Sequence, residues 1–160
     1  MPLQRRFLMS SRVPLAVFVL LTVTTIPARA SGFDDKIPDQ QSIDALEARA
    51  LQAQPREQCF LYAELVHEMT EFSVRRYAAG DFEKAANLLK QIQGLAHKIH
   101  LSVAEDNKRL KNTEILLRHT SFRLTEMLHS SNFDDSDLVQ QTLAQVNQAQ
   151  SEAMMQVFRK

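Results

Sequence analysis

Between Asp81 and Ser130, apolar residues recur at alternating steps of four and three. They are Ala85, Leu89, Ile92, Ala96, Ile99 and Val103, then Leu110, Leu117, Leu124 and Met127 in the same register. Such a period marks one apolar seam along a helix. No proline falls in the stretch, and Gly94 is its only glycine. The pattern predicts one long central helix, on the order of 70 Å at ~1.5 Å per residue. Its weakest part is Ser102 to Asn107. Ser102-Val103-Ala104-Glu105 has the form of a capping box, and Asp106 occupies a seam position. Because the register passes through uninterrupted, a continuous or slightly bent helix is the expectation.

Shorter patterns flank this helix. Ile43, Leu46, Ala50 and Ala53 share one face of a first helix, Ser42 to Gln54, with Asp39 or Ser42 available as its cap. Pro55 ends or kinks that helix, and it also suits the first turn of a new one. A second helix, Arg56 to Ala79, carries Leu61, Tyr62, Leu65, Val66, Met69 and Phe72 on its seam. Ser131-Asn132-Phe133 forms a short turn. A last helix follows, with acidic residues in its first turn and Val139, Leu143, Val146, Ala153 and Val157 inward.

Gly80 can close one helix in the left-handed conformation, and Asp81 can cap the next. Around this turn, Tyr77, Gly80, Asp81, Phe82, Ala85 and Leu89 resemble the helix-turn-helix of a tetratricopeptide repeat. The resemblance covers about thirty residues and implies a tight helical hairpin. His97 stands where the repeat would place its closing proline, and no second copy follows at the expected period.

Short connections force antiparallel neighbours. Pairing across Gly80 sets Leu65 near Ala96. Pairing across Asn132 sets Val146 near Leu117. The fold class is therefore all-α: an antiparallel bundle of coiled-coil-like hairpins around one long central helix. Residues 41–160 make a single helical domain behind a flexible tether, 31–40. In the extended form, the first helix continues past Pro55 over the second half of the central helix. The first half is left as a two-helix hairpin with an exposed apolar edge at Val66, Leu88 and Leu95, which invites a protein partner or self-association. A break near Asp106 would instead close a compact four-helix bundle and hide that edge.

The first thirty residues change the picture of charge and address. Arg5, Arg6 and Arg12 precede an apolar run from Leu15 to Ile26, then Pro27 and Ala28-Arg29-Ala30. This is the pattern of an export signal cleaved after Ala30, with a core too short to span a membrane. The chain is expected in the periplasm or secreted, with no stable membrane span after cleavage. The whole chain has 19 basic and 19 acidic residues. The signal removes four basic ones and leaves 15 against 19, a net charge near −4. That balance argues against nucleic-acid binding, which needs a basic surface. Cys59 is the only cysteine, so no internal disulfide is available. It is read as a small buried residue, or as an intermolecular bridge in an oxidising compartment.

Candidate chemistry is sparse. Glu64 and His67 stand three apart, the spacing of the Glu-x-x-His pairs of di-iron bundles, but no second copy exists. With Leu65, Met69 and Phe72 inward, Glu64, His67 and Glu71 face outward. His97 and His100 are also three apart, and imidazole is a good zinc, copper or nickel ligand. Lys108, Arg109 and Lys111 are read as partners in intrahelical ion pairs with Glu105, Asp106 and Glu114. No catalytic or cofactor motif is present, so neither enzyme activity nor a cofactor is expected. The leading expectation is a non-catalytic interaction, scaffold or chaperone-like module of the cell envelope. The alternative is an envelope metal-binding or metal-sensing protein using His67, His97, His100 and Glu64.

Overall fold

The computed structural model describes residues 37–103, 108–131 and 133–159. The export signal and most of the tether lie outside the described residues. Five α-helices follow one another: α1 (Gln40–Gln52), α2 (Pro55–Ala78), α3 (Phe82–Ser102), α4 (Leu110–Ser130) and α5 (Phe133–Phe158). The local signals explain their ends. The Asp39 carboxylate accepts from the Ser42 N–H at 2.7 Å, and the Ser42 hydroxyl accepts from the Asp39 N–H. This reciprocal cap starts α1. Pro55 opens α2, where its missing N–H costs nothing. Gly80 takes φ +81°, and Asp81 caps α3 through the Lys84 N–H.

Cross-helix contacts give the directions. Ser73 donates to the Ala85 carbonyl, and the Lys98 ammonium lies over the Tyr62 ring, so α2 and α3 are antiparallel. Gln150 donates to Glu114, so α4 and α5 are antiparallel in the register expected from their seams. Glu57 with Lys108 and Glu71 with Arg123 align α2 and α4 in parallel. Gln93 with Thr142 does the same for α3 and α5. Around the bundle the order is α2, α3, α5, α4, with α3 and α4 on a diagonal and not in contact.

The continuous central helix is therefore corrected. α3 ends at Ser102, Val103 leaves the helical region at ψ 92°, and Arg109 precedes α4 in the left-handed region at φ 61°. Residues 104–107 are outside the described residues. The apolar register carries across because both helices face one core. A shared register does not require a shared helix. The energetic reason lies in Val66, Leu88 and Leu95, now 0%, 2% and 7% exposed. Hiding each is worth about 1.5–3 kcal/mol, whereas helix propensity over the lost residues is worth only some tenths each. The expected interaction edge is thus core.

The first helix is corrected as well. It does not run on past Pro55 over the second half of the chain. Ala53 and Gln54 are extended, α2 starts afresh, and α1 folds back along it. Arg49 pairs with Glu64, and Arg75 donates to the Pro38 carbonyl, which fixes the antiparallel sense. α2, touching α1, α3 and α4, is the most enclosed helix. Its buried residues include the small side chains Ala63, Thr70 and Ser73, and Glu64 and Arg75 carry polar contacts to α1 and to Pro38 just before it.

Candidate functional site

The structure separates the residues that sequence spacing had grouped. Glu64 reaches α1, pairing with Arg49 at 2.6 Å. His67 reaches α4, with Nδ1 3.3 Å from the Thr120 hydroxyl. Glu71 holds Arg123 in a two-pronged pair at 2.7 and 3.1 Å. The face expected to be solvated is thus covered by α1 and α4. Cys59 is fully buried, so the folded chain does not present its thiol for an intermolecular bridge.

Of the intrahelical partners expected for the basic junction, Glu105 and Asp106 lie outside the described residues, and Glu114 lies near Arg118. Lys108 pairs with Glu57 at 3.0 Å, its N–H donates to the Arg56 carbonyl, and the Arg109 guanidinium covers the Phe60 ring at 4.9 Å. These contacts seat the start of α4 on the start of α2.

Two buried threonines serve the parallel interfaces in the same way. The Thr120 hydroxyl donates to the Leu116 carbonyl and makes a 3.3 Å contact with His67 Nδ1. The Thr142 hydroxyl donates to the Leu138 carbonyl and accepts from Gln93 at 3.0 Å. Each threonine satisfies itself within its helix and fixes one polar side chain across the interface. Seam counts over apolar residues pass over both. In the sequence, Thr120 and Thr113 stand seven and fourteen residues before the seam residue Met127, which is a signal for Thr120.

Burial pushes the His67 imidazole below its ordinary pKa. The Glu71 carboxylate acts upward against it, and His119 and Arg123 act further downward. Above the unfolded value, about 6.5, His67 is neutral in both states. As pH falls below it, the unfolded chain takes the proton first, and stability is lost until the folded imidazole also protonates. Glu68 works with the opposite sign. Burial, Glu64 and Glu71 raise its pKa against the pull of Arg75, so its contribution is present at low pH and lost as pH rises past the raised value. Urea midpoints between pH 7.5 and 5 should therefore fall more steeply for the native chain than for His67→Gln. Equal slopes would refute the assignment.

His97 and His100 lie on a different face, over the α3/α5 groove. This opening of about 470 Å³ has Lys90, Gln93 and Gly94 on one wall and Gln145 and Gln148 on the other. The imidazoles stack with centroids 5.8 Å apart and planes 28° from parallel. His100 Nδ1 contacts the Glu152 carboxylate. No cluster of three metal-ligating side chains occurs among the described residues. Rings so nearly parallel do not aim their in-plane lone pairs at one point, and His67 is on the α2/α4 interface.

A third feature is apolar. α3 and α5 finish at the same end of the bundle, and the His100–Glu152 contact holds their last turns together. There Leu101 is 71%, Met155 59% and Phe158 81% exposed, with Met154 beside them. No helix among the described residues is long and apolar enough to cross a membrane.

The fold and these features define an all-α, up-down-up-down four-helix bundle carrying an extra N-terminal helix along one strut. Comparison of the chain with protein-family models, curated proteins and solved structures gives no match.

Proposed function

We propose that the chain is an exported cell-envelope protein acting as a non-catalytic interaction module. The export pattern of residues 1–30 supports the address. The observation that carries the interaction reading is the exposed set Leu101, Met155 and Phe158 where α3 and α5 end. These three belong to the last turns of two helices that finish at the same end, although Ile37, Leu51, Phe82 and Phe122 are exposed as well; apolar side chains sharing one end of a small bundle suit a protein contact. Methionine adds a surface that adapts to its partner's shape. The apolar end replaces the hairpin edge as the docking surface.

Crosslinking in the native envelope tests this reading. Partners captured by the native chain should be lost with the triple variant Leu101→Ser, Met155→Ser, Phe158→Ser, while its melting midpoint stays within a few degrees. The same partners on both chains would refute the docking surface. Fractionation that finds the chain in the cytoplasm with residues 1–30 attached would refute the address. For a metal-binding function the described residues offer no cluster of three ligands, and the stacked geometry of His97 and His100 does not favour chelation.

A further inference from the structure

Gly94 sits in the middle of α3, where a glycine is the least favourable residue apart from proline. Packing does not require it. A Cβ built there meets nothing within 4 Å, and its φ is not in the left-handed region. Its one structural consequence is open space on the wall of the α3/α5 groove. Lys90, Gly94 and His97 follow at steps of four and three, so they share a stripe of α3. Gln145 and Gln148 form the facing stripe of α5.

Of the described side chains that line the groove, Lys90 carries the one fixed charge, and the glutamine amides and histidine rings can each turn a donor inward. Lys90 brings a full positive charge and has no ion pair among the described residues. Among the described residues, no side chain hydrogen-bonds to the Gln145 amide or the His97 ring, and both border the opening. No carboxylate is among the described residues that line the opening, and Glu152, one turn beyond Gln148, is already engaged. His100 Nδ1 contacts one of its oxygens, and the Gln148 amide donates to the other at 3.3 Å. Gln93 gives its N–H to Thr142 and is fixed in place. A cation, amides and imidazole N–H groups around an opening of about 470 Å³ suit a small molecule rich in anionic oxygen.

We propose that the α3/α5 groove binds a small organic or inorganic oxyanion bearing two or more carboxylate or phosphate groups, with Lys90 as the charge anchor and Gly94 leaving room for the ligand. The groove borders the apolar end through the His100–Glu152 contact, but its ligand does not depend on the interaction reading.

Citrate and pyrophosphate are the probes, titrated separately into the full chain and followed by backbone amide chemical shifts. At least one should bind saturably below 1 mM, with shifts confined to 90–100 and 145–152. Citrate alone would identify a carboxylate ligand, pyrophosphate alone a phosphate ligand, and both together their shared chemistry. Lys90→Gln should weaken binding at least tenfold. Gly94→Leu should weaken it as strongly while melting no lower than the native chain, because it fills the groove and improves the helix. Lys90 is exposed, so its variant keeps the test informative even if the leucine variant misfolds. Neither probe saturating by 10 mM would overturn the proposal, as would native affinity in Lys90→Gln.

Discussion

Leu88→Asp should abolish the cooperative fold. Leu88 is 2% exposed in a core shared by all five helices. A carboxylate there would have to ionise without a partner or fold protonated and unsatisfied. Either costs on the order of 4 kcal/mol or more, out of a total of about 5–15 kcal/mol for a domain of this size. The measurement is thermal melting by far-ultraviolet circular dichroism. The midpoint should fall by about 15 °C or more, or the transition should vanish. The result decides between two architectures. On the free edge of an open hairpin, the same aspartate would stay in water and cost about 0.5 kcal/mol or less. A variant that melts like the native chain would restore the open hairpin and remove the compact bundle.

Helix existence was legible because propensity, caps and apolar period agree locally. Asp39, Pro55, Gly80 and Asp81 all terminate or start helices where their chemistry says they should. Connectivity in space was less legible. Around Asp106 the apolar register had no interruption, yet α3 ends at Ser102 and a separate α4 begins at Leu110. Period reports which face is buried, and two helices packed on one core report the same face. The decisive term was non-local: the apolar surface of Val66, Leu88 and Leu95 needs a cover, and α4 and α5 supply it. The same applies to α2. Its additional contacts, to α1 and α4, are carried by Glu64, His67 and Glu71, which contribute nothing to an apolar count. For the candidate sites, type and spacing found His97 and His100 but not their surroundings. Glu152 lies 52 residues from His100, and only the parallel packing of α3 and α5 brings them together.

That packing makes a further expectation, on cooperativity. The chain has no tryptophan and only two tyrosines, Tyr62 and Tyr77, both on α2. Tyrosine fluorescence therefore reports α2 alone. Leu117 is on α4 and fully buried in the core cluster that includes α2. Leu117→Ala removes its contacts and leaves a cavity, which costs about 3 kcal/mol. If the hairpins α2/α3 and α4/α5 were independent, the tyrosine transition would not move. In the bundle, α2 and α4 share Lys108–Glu57, His67–Thr120 and Arg123–Glu71 as well as the core. Loss of one helix exposes the other, so a single two-state transition is expected. The tyrosine midpoint in urea should fall by about 1–2 M, and circular dichroism should give the same midpoint. A tyrosine midpoint left in place, with only part of the helical signal lost early, would show that the two hairpins unfold separately. In that case the polar contacts between α2 and α4 would be too weak to couple them.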